Sequence, residues 1–444
     1  MKKLFVSFSI ILLSACGGGS GGSSVGSGGT EPNTYSIGGT VSGLTGKGLV
    51  LQNNLGDDLP VGTNGTFVFT NKVTGGAAYN VTIRTQPDLP KQTCLITGGA
   101  GSVGSTAVSG ISINCALALY APRFAYVANG ASNDVSAFSI NSATGTLTRT
   151  FAAVKAGSTP RSVAADPSGK YVYVVNYFSH DMSVYSINDS NGSLSSIGTV
   201  ATGKYPVSLK VDPTGKFIYV THESDSGGIY VYKINTITGL PTTVGLPITG
   251  ASLPFSVAVG PSGKFAYVAD AGRSELSTYS INDVTGELSS VNKVTTGGYP
   301  LAIAVDPTGR FLYVVNWTSN NISAYAINGL TGVLNSLGET PAGSFPRSIA
   351  IDPTGKYVYV ANSSSNDLDS YAINATTGTL TSIGKVATIG SPRSIAADPS
   401  GKFIYVVTNS NVVVGYAINT ASGALSSVGT ISSGSGPESL TITR

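Results

Sequence analysis

Asp306-Pro307-Thr308-Gly309-Arg310-Phe311-Leu312-Tyr313-Val314-Val315-Asn316 is the stretch that decides the fold. Its first half is a turn: proline presets φ, glycine takes the left-handed position, and an aspartate side chain can accept the N–H groups of the loop. Its second half is apolar on both alternations, the mark of a strand covered on both faces. The same turn recurs with its aspartate at Asp166, Asp212, Asp352 and Asp398, and a sixth copy has Gly260 in that place. The repeat length is about 46 residues. After each turn comes an apolar strand and then a second one ending in aromatic-x-Ile-Asn, built on Phe138, Tyr185, Tyr232, Tyr279, Tyr325, Tyr371 and Tyr416. A turn then leads to a segment led by Gly-x-Leu. Four short strands in each period of this length predict a β-propeller blade.

The ends of the repeat predict how the ring closes. Phe124-Ala125-Tyr126-Val127-Ala128-Asn129 matches the second strand of a blade, whereas Pro437-Glu438-Ser439-Leu440-Thr441-Ile442-Thr443 matches the first. The two ends therefore complete one blade together, giving seven, and remove the free edges that an open sheet would expose. The expected class is all-β: a seven-bladed β-propeller over residues 120–444, preceded by a small β-sandwich.

The Tyr-Val-x-Asn strands and the Asp-Pro-x-Gly-Lys turns resemble those of the seven-bladed lactonase-like propellers, a family that includes a 6-phosphogluconolactonase group. The resemblance covers residues 120–444 and implies the fold and, as an activity to be considered, lactone ring opening. Lactonase-like enzymes often carry histidine beside the proline that leads into the first strand. Here that position holds Arg161, Val207, Phe255, Leu301, Arg347, Arg393 and Glu438, so no enzymatic site carries over residue by residue.

In a propeller, the loops leading into the first strands and those between second and third strands share the face around the central channel, and candidate site residues are the departures from the repeat on that face. Numbering the closing blade as one, Arg347, Arg393, Glu438 and Arg161 form a contiguous charged arc facing Val207, Phe255 and Leu301. Three guanidiniums and a carboxylate can clamp an anionic group with bidentate bonds; equally, Glu438 can serve only to pair the flanking arginines. Tyr205, Tyr299 and Phe345 offer stacking surfaces for a sugar or aromatic ligand, or simply cover the blade tops. At the end of the second strand the usual asparagine is replaced by His222, followed by Glu223, with His180, Asp270, Arg273 and Trp317 in neighbouring loops. His222 with Glu223 can activate water against a lactone carbonyl, an arginine taking the oxyanion. The alternative is an exposed loop histidine without a role.

Three functions follow as expectations. The first is a ligand-binding or protein-interaction module acting through the channel face on a small anionic or sugar ligand or a protein partner. The second is a lactone hydrolase, and the third a structural surface protein.

At the other end, Lys2 and Lys3, the apolar run Leu4 to Leu13, and Leu13-Ser14-Ala15-Cys16 read as a secretion signal. The string resembles a bacterial lipobox, which implies cleavage before Cys16, acylation of that cysteine and a membrane anchor. Gly17 after it points to the outer membrane of a Gram-negative cell. Residues 16–33 are then a glycine- and serine-rich tether reaching about 20–25 Å. Lipidation of Cys16 leaves Cys94 and Cys115 as a disulfide pair, contributing about 3 kcal/mol through a loop of about 22 residues. Alternating apolar segments between Thr34 and Ala116 predict about seven strands of a sandwich.

Composition narrows the rest. The net charge of +3 carries no basic stripe, which excludes nucleic acid as a partner. With two histidines and no Cys-x-x-Cys, the sequence offers no metal site, and nothing in it points to a cofactor. A GxSxG at Gly18 and a GxGxxG at Gly99 lack the strand-turn-helix setting those motifs need.

Overall fold

The computed structural model describes residues 32–223 and 228–444. Cys16, the leader before it and nearly all of the tether lie outside them. Among the described residues every regular element is a strand.

The first ten strands form two four-stranded sheets and a two-stranded ribbon. One sheet runs Gly65–Val68, Ile37–Ser42, Val108–Leu117, Gln92–Thr97, and the other Asp57–Val61, Leu49–Asn53, Ala78–Thr85, Ala100–Ser102. Ile37, Val41, Ile111 and Ile113 from one sheet share a core with Leu49, Leu51 and Val81 from the other, which makes the unit a sandwich. Cys94 and Cys115 stand opposite each other in adjacent antiparallel strands and are joined by a disulfide within that core. The strands outnumber those expected because Asp57–Val61 and Ala100–Ser102 are polar edges without an apolar period. Val108–Leu117 also pairs with Ile37–Ser42 in parallel.

From Phe124 onward seven blades form a ring. Blade 5 shows the pattern: Pro300–Val305, Phe311–Asn316, Asn321–Ile327 and Leu334–Pro341 pair in sequence order. In blade 1 the inner strand is Pro437–Ile442, paired antiparallel with Phe124–Asn129, so the two ends of the repeat close the ring as expected. Its outermost strand is broken into Leu147–Arg149 and Val154–Lys155.

The repeated residues act as the sequence suggests. Asp306 is buried; its Oδ1 accepts from the N–H groups of Arg310 (2.7 Å) and Phe311 (2.6 Å), and its Oδ2 from that of Thr308 (3.0 Å). The tyrosine of Tyr-Val-x-Asn works between blades. Tyr313 Oη donates to the Gly378 carbonyl of the next blade at 2.7 Å, and Tyr126, Tyr173, Tyr219, Tyr359 and Tyr405 make the equivalent bond to Gly192, Gly239, Gly286, Gly423 and Gly145. Burial holds these hydroxyls well above the ordinary tyrosine range, so they remain donors. Gly378 itself has φ 74°, and a Cβ there would lie 2.3 Å from the Phe311 ring, so the position excludes every other residue. Both faces of the strands are apolar because each blade packs on two others, as Tyr313 and Val315 do on Val358 and Val360.

Candidate functional site

Two positions per blade build the channel mouth. The proline that opens each inner strand pairs with the last residue of the second strand, as Pro300 does with Asn316. The residue after that last one donates its N–H to the carbonyl of the residue before the proline: Tyr177 to Thr159 (2.8 Å), Glu223 to Tyr205 (2.8 Å), Trp317 to Tyr299 (3.0 Å), Ser363 to Phe345 (2.9 Å). Tyr205, Tyr299 and Phe345 take φ of 56°, 58° and 54°, a left-handed conformation that bulky side chains rarely adopt. Strain of this kind is held in place by the bonds around it and concentrates at working surfaces.

These loops surround a cavity of about 240 Å³ lined by Arg161, Val207, Phe255, Tyr299, Leu301, Trp317, Arg347, Arg393 and Glu438. The charged arc and the apolar arc read from the sequence thus face each other across one space. Glu438 is shared: Arg393 Nη1 donates to its Oε1 at 2.6 Å and Arg347 Nη2 to its Oε2 at 3.1 Å. Arg161 has no carboxylate partner among the described residues; its guanidinium lies over the Tyr177 ring, 5.5 Å from the centroid. Burial draws the Arg347 guanidinium below its usual range, Glu438 opposes that, and the neighbouring Arg393 and Arg161 charges add to it. Three guanidiniums against one carboxylate leave the lining positive and ready for an anion.

The facing wall is aromatic. Tyr299 packs on Phe255 (5.7 Å between centroids) and on Trp317 (5.5 Å), which packs in turn on Phe345 (4.8 Å). A second aromatic group stands over blades 2 and 3, where Tyr177 meets Phe178 (4.9 Å) and Tyr205 (5.1 Å). Tyr177 is the residue that sequence reasoning missed. It occupies in blade 2 the place of Trp317 in blade 5, and aligning the residue after each Tyr-Val-x-Asn would have found it.

The remaining candidates lie elsewhere. His222 is 1% exposed and ends a strand, which corrects the exposed-loop expectation, and it is not among the residues lining the cavity. Its Nδ1 is 3.3 Å from the Gly228 carbonyl, its ring packs on Tyr230, and its Nε2 has no hydrogen-bond partner among the described residues. Burial lowers its pKa to about 4, so it is neutral at pH 7. The replaced asparagines explain this placement: Asn176, for example, is fully buried, with Nδ2 bonded to Asp181 (2.6 Å) and Ser183 (2.9 Å). The position is a buried prop beneath the loop, and the turn lies beyond it.

Glu223 is half-buried at the rim. Burial and this facing carboxylate hold the Tyr177 hydroxyl above its ordinary range, while Arg161 pulls it down. His180 has φ 59° and accepts the Tyr205 N–H at Nδ1 (3.1 Å). Asn133 and Asn320 make the same bond to Thr159 and Phe345 at 2.7 Å, so His180 fills an asparagine's structural slot. Asp270, fully buried, accepts the Ser252 N–H at 2.8 Å and pairs with Arg273 at 3.1 Å, bracing a loop of blade 4 outside the cavity. Among the described residues no three His, Cys, Asp or Glu side chains gather as metal ligands would.

Known proteins share this architecture. The family model for the seven-bladed β-propeller lactonases matches residues 121–253, 247–346, 302–392 and 344–441. Among solved structures, a Bacteroides fragilis protein assigned as a 6-phosphogluconolactonase superposes with a TM-score of 0.66 at 22% identity, covering 73% of this chain and 98% of its own. The periplasmic gluconolactonase of Pseudomonas aeruginosa superposes with a TM-score of 0.64 at 18% identity, covering 72% and 99%. At these identities the likeness is one of fold. No curated protein matches the chain by sequence.

Proposed function

The chain belongs to the seven-bladed β-propeller lactonase family, and from that premise we propose that the cavity at its channel mouth binds a small anionic lactone and opens its ring with water. The observation that carries this reading is the single carboxylate, Glu438, set among three guanidiniums in a cavity with an aromatic wall.

The chemistry needs a proton acceptor, an oxyanion partner and a hold on the substrate. Glu438, released from one guanidinium, takes a proton from water as the oxygen adds to the acyl carbon. Arg347 and Arg393 stabilise the oxyanion that forms. As the ring C–O bond breaks, the departing oxygen recovers the proton from Glu438, and the product is a hydroxy acid. Arg161, which pairs with no carboxylate among the described residues, holds the substrate's own anionic substituent, and Tyr299 and Trp317 pack on the ring face. Capture of an anionic sugar or a protein partner without turnover is the second reading, favoured because both oxygens of Glu438 are already engaged.

Arg161→Met is expected to raise KM for an anionic lactone about tenfold and to leave a neutral lactone of the same ring size unchanged. Steady-state acid release on the two substrates checks it. An equal effect on both would remove Arg161 from anion recognition.

We further propose, from the lipobox-like Leu13-Ser14-Ala15-Cys16 alone, that an acylated Cys16 anchors the protein to the outer membrane of the cell envelope, where it would meet lactones outside the cytoplasm. Growth with an alkyne fatty acid is expected to label the full chain and not the Cys16→Ser variant. Label retained in that variant would overturn the anchor.

A further inference from the structure

Tyr177, Phe178 and Tyr205 do not line the cavity, yet they are joined to it through Arg161, which forms part of its wall and also lies over the Tyr177 ring. Phe178 is 61% exposed, a large apolar ring held in water. It is held firmly: its N–H donates to the Ser158 carbonyl at 3.1 Å, and Ser179 Oγ accepts the Ser158 N–H at 3.0 Å. Next to it, His180 turns the chain at positive φ and fastens the loop to Tyr205 of the following blade. The platform is thus preformed, aromatic and edged by hydroxyls. It stands over blades 2 and 3, while the cavity's own wall of Phe255, Tyr299 and Trp317 stands over blades 4 and 5.

A ligand of one ring fills the cavity and leaves this platform unused. A ligand that continues past Arg161 covers it. The chemistry on offer at each place differs: positive charge inside, and flat apolar faces with neighbouring hydroxyls outside. A chain of sugar rings suits the second, since each ring presents a C–H face to an aromatic and hydroxyls to its edge. A carboxylate at the chain's end suits the first.

We propose that the ligand is an oligosaccharide ending in a sugar acid, with the terminal unit in the cavity and the preceding sugars lying over Tyr177, Phe178 and Tyr205. This rests on the reading of the cavity as the ligand site, and it adds length and direction to it.

The test uses binding, which is independent of turnover. Trp317 is the sole tryptophan of the chain and lies in the cavity wall, so its fluorescence reports occupancy. The full protein is titrated with gluconate and with the aldonic acids made by oxidising the reducing ends of maltose and maltotriose. Affinity is expected to rise from gluconate to the trisaccharide acid, about threefold to tenfold for each aromatic platform covered. Unoxidised maltotriose is expected to bind more weakly than its acid. Phe178→Ala, at an exposed position that leaves the fold intact, is expected to leave gluconate unchanged and to return the trisaccharide acid toward the gluconate value. Equal affinity at all lengths, or no effect of Phe178→Ala, would overturn the extended ligand and leave the cavity reading standing. Failure of every acid to bind would overturn both.

Discussion

Glu438→Gln is expected to slow opening of an anionic lactone by about a thousandfold, the usual worth of a positioned general base. Glutamine keeps the shape but only one acceptor oxygen, so it can accept from just one of the two guanidiniums, and it cannot take a proton from water. The substitution also acts on the fold. Arg347 and Arg393 are only about a third exposed, at 30% and 32%, and without the Glu438 charge they and Arg161 face one another uncompensated. A fully buried pair broken in this way costs about 3–5 kcal/mol. Partial exposure of the guanidiniums brings the expected loss nearer to 2 kcal/mol, read by urea denaturation. Adding Arg347→Met to Glu438→Gln removes one of the repelling charges and is expected to recover part of the stability with none of the turnover. Recovery of turnover in the double variant would show that the carboxylate acts only through its neighbour.

His222 sets the second large effect, on stability against pH. Its folded pKa is about 4 against 6.5 for a free histidine, so the unfolded chain binds the proton more tightly. Acid therefore favours unfolding. The contribution is absent above the unfolded value and grows as pH falls from 6.5 toward 4. Below that it levels off at about 3 kcal/mol, by 1.36 kcal/mol for each pKa unit. His222→Asn restores the residue found at this position in four other blades and cannot charge. Its stability is expected to gain on the parent's by that amount between pH 7 and pH 4, measured by denaturation at each pH. Parallel curves for the two proteins would mean that the imidazole takes up its proton as readily in the folded chain as in the unfolded one.

Much of the molecule is legible in its sequence because the repeat exposes every departure. Asp306 and Gly309 specify their turn through local bonds, and the halves of blade 1 are recognisable as strand one and strand two of the same motif. The charged arc is legible for the same reason: the residue after each proline points to a common space, so Arg161, Arg347, Arg393 and Glu438 meet there. What the sequence hides is direction. His222 and Asp270 stand where asparagine looks like a turn residue, and the strand register carries that position into the interior. Tyr177 lies one residue further on, where the N–H bond to Thr159 draws the loop over the mouth. The burial of His222 and Asp270 does not follow from residue type, since it depends on pairing between strands many residues apart, whereas Tyr177 is reached by aligning it with Trp317. His180 was within reach, because its place in the loop is that of Asn133 and Asn320.

Acid release from an anionic lactone by the full-length protein, followed at constant pH beside Glu438→Gln and His222→Asn, tests the central claim most directly. Turnover in the parent, kept in His222→Asn and lost in Glu438→Gln, is the expected result. Turnover that survives Glu438→Gln and disappears in His222→Asn would contradict it, moving the chemistry from the cavity to the buried histidine.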